Sequence, residues 1–356
     1  MAERKTAFIT GVTGQDGAYL SEFLLAKGYE VHGLARRAST TNTFRINRFL
    51  LAASENGTPF HLHHGDVTDA NNLARLIAQI RPSEIYNLAG QSQVRVAFEM
   101  PEYTADVNAL GPLRLLEAMR LTDLGATTRF YQASTSELYG NTTETPQNEK
   151  SPFMPRSPYG ISKLYAYWTT VNYREAYGFH ASNGILFNHE SPLRGETFIT
   201  RKVTRAVAAI EHGLIPSLVI GNLDSERDWG YARDYVEGMW RMLQQPQADD
   251  YVLATGRKHS VRSLIELAFA QTGRTIAWEG TDGNESGRDA KNGQVLVRLD
   301  PRYARPTEVD YLVGDASKAK RKLDWMPKTD FETMIAEMVA ADLKTVPREH
   351  EAGLFS

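Results

Sequence analysis

The chain has 356 residues, no cysteine and a formal net charge of −3, which removes disulfides, thiolate nucleophiles and cysteine-ligated metals and argues against bulk nucleic-acid binding. With 42% hydrophobic and 23% charged residues it has the composition of an ordinary globular protein, long enough for two domains or for one with an appended lobe. No apolar run is long enough to span a bilayer, and Met1-Ala2-Glu3-Arg4-Lys5 leads straight into a strand, so a cytoplasmic protein with no secretory signal and no membrane partner is expected.

Ala7-Phe8-Ile9-Thr10 reads as a buried strand, and Tyr19, Leu20, Phe23 and Leu24 recur at helical spacing. Between them lies Thr10-Gly11-Val12-Thr13-Gly14-Gln15-Asp16-Gly17. Gly11 lets the chain turn, Gly14 lets the backbone approach a pyrophosphate, and Gly17 lets the helix lie close to the strand. The helix start then faces the phosphates with free N–H groups. The spacing is GxxGxxG rather than GxGxxG, and a plain strand-to-helix turn is the competing reading.

A second strand, Tyr29 to Leu34, runs into Arg36-Arg37-Ala38-Ser39-Thr40. Guanidinium groups and hydroxyls at this position suit a 2′-phosphate, so NADP is expected rather than NAD; a solvated basic loop is the alternative. Phe60 to His64 is a third strand, followed by Gly65-Asp66-Val67. Asp66 either accepts from an adenine amino group or belongs to an ordinary turn. Leu73, Leu76, Ile77 and Ile80 line a helix face, and Ile85 to Ala89 is a fourth strand. Its end, Leu88-Ala89-Gly90-Gln91-Ser92, would lie along the coenzyme. The alternation implies an α/β fold of the Rossmann type, a doubly wound parallel sheet with right-handed crossovers, followed by a smaller C-terminal substrate-binding lobe.

Phe130 to Ala133 is a fifth strand, and Ser134-Thr135-Ser136-Glu137 follows it. Residues at the carboxyl end of a parallel strand face the ligand crevice. Ser157-Pro158-Tyr159-Gly160-Ile161-Ser162-Lys163 opens a helix with Ser157 at the N-cap and Pro158 at N1, which sets Tyr159 and Lys163 one turn apart on one face. A nearby ammonium and a cationic nicotinamide would bring the phenol toward neutrality, so Tyr159 can take a hydroxyl proton as hydride leaves. Thr135 can hydrogen-bond that hydroxyl, and Glu137 can remove a proton from the carbon beside the new ketone. Chance recurrence of Tyr-x-x-x-Lys, and a helix cap built by Ser-Thr-Ser-Glu, are the plain alternatives.

After residue 186 loops are expected to dominate, with helices at Val236–Leu243 and Val261–Phe269, a mobile polar loop over 281–294 and a frayed tail from Arg348. The blocks 10–20, 36–40, 87–94, 132–140, 155–168, 172–178, 183–204, 227–240, 251–256 and 305–310 resemble the extended short-chain dehydrogenase/reductase family, in its branch of GDP-mannose 4,6-dehydratases. The resemblance implies a redox-neutral, NADP-dependent conversion of GDP-mannose to GDP-4-keto-6-deoxy-mannose, with Thr135, Glu137, Tyr159 and Lys163 catalytic. By the same resemblance Gly11, Thr13, Gly14, Gln15, Asp16 and Gly17, then Arg36, Arg37, Ala38 and Ser39, then Asp66, Val67, Leu88, Ala89, Gly90, Gln91 and Ser92, with Tyr103, Lys163, His189 and Arg194, contact the coenzyme. Ser92, Asn188, Lys202, Arg227, Arg305 and Glu308 would contact the GDP-sugar; taken singly, His189, Tyr103, Arg227, Arg305 and Glu308 also suit packing or ion-pair roles.

Two departures stand out. Ser136 replaces the aspartate that related dTDP-sugar dehydratases carry, so Glu137 or a water must supply the proton for the departing hydroxyl. Leu193-Arg194 stands where many members have two arginines. The resemblance further implies an NADP-binding domain over 1–186 with a return segment at 230–256, a GDP-sugar lobe over 187–229 and 257–347, and a tail over 348–356. It also implies a homodimer or homotetramer, built through helices at Leu110–Met119 and Tyr159–Tyr173 and through the Arg36–Thr43 loop. No metal is expected. The rival readings are an epimerase or 4-keto reductase of the same fold, which needs no carboxylate at Glu137, and a non-catalytic NADP sensor.

Overall fold

The computed structural model describes residues 4–281, 284–300, 302 and 311–355. The first half alternates strands and helices: β1 Thr6–Thr10, α1 Gln15–Ala26, β2 Glu30–Ala35, α2 Asn47–Asn56, β3 Phe60–His64, α3 Ala70–Ile80 and β4 Glu84–Asn87. Then follow α4 Val94–Glu99, α5 Pro101–Ala105, a π-helical turn Asp106–Leu110, α6 Gly111–Leu121, β5 Arg129–Ala133, α7 Pro158–Tyr177 and β6 His180–Leu186. These strands and the later β11 (Tyr251–Leu253) form one seven-stranded sheet in the order β11-β6-β5-β4-β1-β2-β3. Every pairing in it is parallel.

Alternation along each strand divides the sheet's faces between two cores. Ala7 and Ile9 of β1, with Tyr86 and Tyr131, pack under α1 and α9 (Ala232–Gln244). Phe8 points the other way, with Ile85 and Phe130, into Leu73 and Ile77 of α3 and Leu115 of α6. Burial on both faces explains why the strands read as unbroken apolar runs.

The remaining elements are β7 Asn188–Glu190, α8 Ile199–Glu211, β8 Leu218–Ile220, β9 Glu226–Arg227, β10 Trp229–Tyr231, β12 His259–Ser260 and α10 Val261–Ala270. They continue with β13 Ile276–Glu279, β14 Ser286–Asp289, β15 Val295–Leu299, β16 Tyr311–Leu312, α11 Ser317–Leu323 and α12 Phe331–Glu351. A four-stranded sheet, β13-β14-β15-β8, shares a core with α8, α10 and α12, through Val203, Val207, Leu264, Leu296 and Met338. This is the smaller lobe that the fold class called for.

The lobe is more regular than the sequence suggested. The 281–294 stretch, expected as a mobile loop, contains β14, because Ser286–Arg288 pair with β15 and Gly287 packs against Ile276, Trp278 and Val297. The expected tail begins inside α12, which continues to Glu351. The helix is held there because Arg205 of α8 reaches Glu349 at 2.7 Å. One turn earlier along α8, Arg201 meets Asp342 of α12 through two N–H···O bonds of 3.0 Å and a third of 2.6 Å. Among the described residues no helix is long and apolar enough to cross a membrane.

Candidate active site

The sheet order reverses between β1 and β4, which run outward to opposite sides, and a crevice opens at their carboxyl ends. It holds a cavity of about 650 Å³. The loops after β1, β4, β5 and β6 form its floor, and residues of α8, β9 and β10 form the facing wall.

The glycine loop fits tightly. Gly11 has φ +70°, and a Cβ there would lie 2.8 Å from the Ala89 backbone nitrogen. A Cβ on Gly17 would lie 2.5 Å from the Gly11 carbonyl oxygen, so α1 can sit this close to β1 only without a side chain. The first turn of α1 therefore points its free N–H groups into the cavity. Asp16 sits in that turn beside His189: Nε2 of His189 is 2.8 Å from Asp16 Oδ2, and its Nδ1 is 2.8 Å from the Phe187 carbonyl. Burial works against both charges, but each partner stabilises the other, so the Asp16 carboxyl is held below its usual range and the His189 imidazole above its own. Gln15 links them by donating to Asp16 and to the His189 carbonyl, each at 3.0 Å.

At the outer end, Arg36 lines the cavity and donates to the Tyr103 hydroxyl at 2.7 Å. Arg37 and Ala38 line an adjoining hollow that shares Arg36, Asn42 and Asp66 with the cavity; Ser39 lines neither. Asp66 serves the turn, accepting from the Thr68 N–H at 3.0 Å, and also faces the cavity.

Thr135, Glu137, Tyr159 and Lys163 all line this cavity. Ser157 caps α7 by accepting from the Gly160 N–H at 3.0 Å, with Pro158 at the first helical position. Lys163 donates to the Ala133 carbonyl at 2.9 Å, which ties α7 to the end of β5. The Thr135 hydroxyl accepts from the Glu137 N–H at 3.2 Å. The Ser-Thr-Ser-Glu segment is thus a cap, over a single 3₁₀ turn at Ser136–Leu138, and it still presents its side chains to the cavity.

Burial dominates the electrostatics of the phenol and the ammonium within the protein itself. Burial pushes Tyr159 up to about 12; a hydrogen bond from Thr135 opposes this, the Glu137 charge adds to it, and Arg194 lowers it slightly. The Lys163 ammonium lies 5.9 Å from the centre of the Tyr159 ring. Burial also lowers the Lys163 ammonium, to about 8. Burial is thus the largest influence on both groups.

On the facing wall, Asn188, Lys202, Arg227 and Trp229 line the cavity. Burial lowers Lys202 below the usual lysine range, and Arg227 is buried and donates to the Glu226 carbonyl at 2.8 Å. Arg305 and Glu308 lie outside the described residues. The sequence reading missed Glu190: it is buried, lines the cavity, and receives Arg194 Nε at 3.0 Å while Thr200 donates to it. Its only signal was an acid four residues before a base in a segment read as loop. Asn42, Asn222 and Ser225 also line the cavity and carried no signal.

A family model described as GDP-mannose 4,6 dehydratase matches residues 8–338. The chain belongs to the GDP-mannose 4,6-dehydratase family. It is 60% identical over 343 residues to the GDP-mannose 4,6-dehydratase of Sinorhizobium fredii (strain HH103), covering 96% of this chain and 98% of that one. It is 56% identical over 355 residues to that of Vibrio cholerae, covering 97% and 95%. Among solved structures, UDP-glucose 4-epimerase of Thermotoga maritima superposes with a TM-score of 0.79 at 23% identity, covering 96% of this chain and 99% of that chain. At that identity the likeness concerns the fold.

Proposed function

We propose that the protein is an NADP-dependent GDP-mannose 4,6-dehydratase that makes GDP-4-keto-6-deoxy-mannose and water. The observation that carries the reading is the convergence of Thr135, Glu137, Tyr159 and Lys163 on one cavity beside the glycine loop. An epimerase or ketoreductase has no need of a carboxylate next to the tyrosine. The coenzyme fits these residues: the cradle at Gly11 and Gly17 leaves no room for a Cβ, and Arg36, fixed by Tyr103, offers a guanidinium to a 2′-phosphate. Arg37 and Ala38 extend that rim, and Ser39 follows them. Gly14, Thr13, Val67 and Leu88 to Ser92 would line the dinucleotide's path; Asn188, Lys202 and Arg227, with Arg305 and Glu308, would hold the GDP-sugar.

Bound NADP would accept hydride from C4 and return it to C6, and its oxidised ring would bring the positive charge that counters the burial of Tyr159. Tyr159 takes the proton from O4, while Thr135 holds that oxygen by hydrogen bonding. Lys163, anchored on Ala133, orients the ribose and keeps Tyr159 and Thr135 in register. Once C4 is a ketone, Glu137 removes the C5 proton and passes it to the C6 hydroxyl, which leaves as water. C5 then takes a proton back through Glu137, balanced by the proton Tyr159 received from O4.

We assign the coenzyme part to 1–186 with 230–256, and the sugar part to 187–229 with 257–347. A cytoplasmic homodimer or homotetramer agrees with the exposed apolar stripe of α7. Ile161, Tyr165 and Trp168 recur there at helical spacing, Trp168 being 56% exposed. The test is GDP-mannose deuterated at C4. The label should appear in the C6 methyl group with no accumulation of reduced coenzyme; a methyl group without label would refute the reading.

A further inference from the structure

The outer edge of the main sheet carries a side-chain cluster separate from the cavity. Glu30 and His32 stand two residues apart on one face of β2. His61 and His63 share that face on the edge strand β3, with His32 directly beside His61 in the parallel register. Glu30 Oε1 is 2.9 Å from His61 Nε2 and 3.4 Å from His32 Nε2. The three atoms all lie within 4.8 Å of one another. Behind them, His32 Nδ1 is 2.9 Å from His63 Nε2, and the two rings stack with centroids 5.1 Å apart.

We propose that Glu30, His32 and His61 bind a divalent cation of the zinc class, with His63 as the positioning residue for His32. In a tetrahedral site with zinc–ligand distances of ~2.0–2.1 Å, neighbouring ligand atoms lie ~3.4 Å apart. The two separations from Glu30, 2.9 and 3.4 Å, fall under and at that value, and the two imidazole nitrogens lie within 4.8 Å of each other. Three protein ligands leave the fourth position for water. For His32 to ligate through Nε2, its Nδ1 must keep its proton and donate it, and His63 Nε2 stands ready as the acceptor, which fixes tautomer and ring orientation together. Two imidazoles with one carboxylate select zinc, cobalt, nickel or copper over magnesium or calcium. The ion would brace the edge strand against its neighbour and take no part in the chemistry of the cavity.

The test is calorimetric titration of the full-length protein with Zn²⁺, with Co²⁺ absorption as a second readout of tetrahedral geometry. One ion per chain should bind wild type. His61→Ala and Glu30→Gln should lose that site, and His63→Ala should weaken it ~10–100-fold, all three with wild-type turnover of GDP-mannose and unchanged circular dichroism. His61 is exposed, so its replacement should not disturb folding. Equal Zn²⁺ affinity in wild type and His61→Ala, or no binding to wild type in millimolar metal, would overturn the proposal.

Discussion

Replacing Glu137 by Gln separates the two halves of the proposed reaction. The amide keeps the shape of the side chain and the backbone N–H that Thr135 accepts at 3.2 Å, but it cannot take a proton from C5. Loss of a general base costs about 10²–10⁴-fold, which is about 3–5 kcal/mol in barrier, and overall turnover should fall by that amount. The first half should respond in the opposite sense. The Glu137 charge is one of the groups that raise Tyr159 toward about 12, so neutralising it lowers the phenol. Because Tyr159 acts as the base, the rising limb of the pH profile for C4 oxidation should move to lower pH. Single-turnover mixing with GDP-mannose, followed through the absorbance of the reduced nicotinamide, should show reduced coenzyme accumulating in the variant where none builds up in wild type. Proton exchange at C5 with deuterated solvent should cease. Turnover within a few-fold of wild type would refute the role given to Glu137, and absence of any C4 oxidation would refute the division of labour between it and Tyr159.

Gly17→Ala should lower coenzyme content and melting temperature together, by about 1–3 kcal/mol of stability for overpacking. Its Cβ would meet the Gly11 oxygen at 2.5 Å and Val12 Cα at 2.6 Å, backbone atoms that move only with the loop; normal coenzyme occupancy in the variant would contradict this. The Asp16–His189 pair has a signed pH dependence. His189 is raised in the fold, so its contribution is full below ~6.5 and is lost as pH rises through the folded value. Asp16 is lowered, so its contribution is present above ~3.9 and is lost as pH falls through its folded value. The pair should stabilise most in the window between, and chemical denaturation of His189→Ala should show a flatter stability profile there. Lys163→Met should abolish activity without lowering the stability of coenzyme-free protein. The lysine is lowered from 10.5 to about 8, a penalty of about 3 kcal/mol at neutral pH, offset by a charged hydrogen bond to Ala133 worth about 1.5–3 kcal/mol. In wild type that penalty persists below about 8 and disappears as pH rises toward 10.5. A melting temperature for Lys163→Met well below wild type would contradict the accounting.

Much of the site was legible because its parts are local. The glycine loop announces itself by strand, spacing and helix start, and the helix carrying Tyr159 and Lys163 by Ser157 and Pro158. These signals lie within a few residues of the atoms they position. The failures share a cause. Helix α8, ITRKVTRAVAAIE, went unread although Ile199, Val203, Val207 and Ile210 recur at helical spacing, because its many Thr, Arg and Lys residues gave the segment a loop-like composition. Its arginines are buried all the same, since their acids, Asp342 and Glu349, arrive from α12 more than a hundred residues later. The same distant acids hold the last turns of α12, where a tail was expected. Strand β14 was read as loop because its glycine and charged residues are explained only by the strands on either side of it.

The phenol shows the same limit in energetic form. Spacing puts Lys163 one turn from Tyr159, and with the nucleotide loop before it the pattern suggests that the ammonium and a cationic nicotinamide together stabilise the phenolate. The fold turns that ammonium toward the Ala133 carbonyl and buries both groups, so desolvation, which no local pattern encodes, moves Tyr159 up and Lys163 down. In the proposed mechanism the amine's bond to Ala133 holds helix α7 against the end of β5, the join that would bring the proton acceptor for O4 beside the carboxylate that would serve C5. Lys163→Arg tests this directly. It keeps the charge but changes the length and the donor geometry, so it should fail nearly as badly as Lys163→Met if position is what matters, and should retain most activity if charge alone were enough.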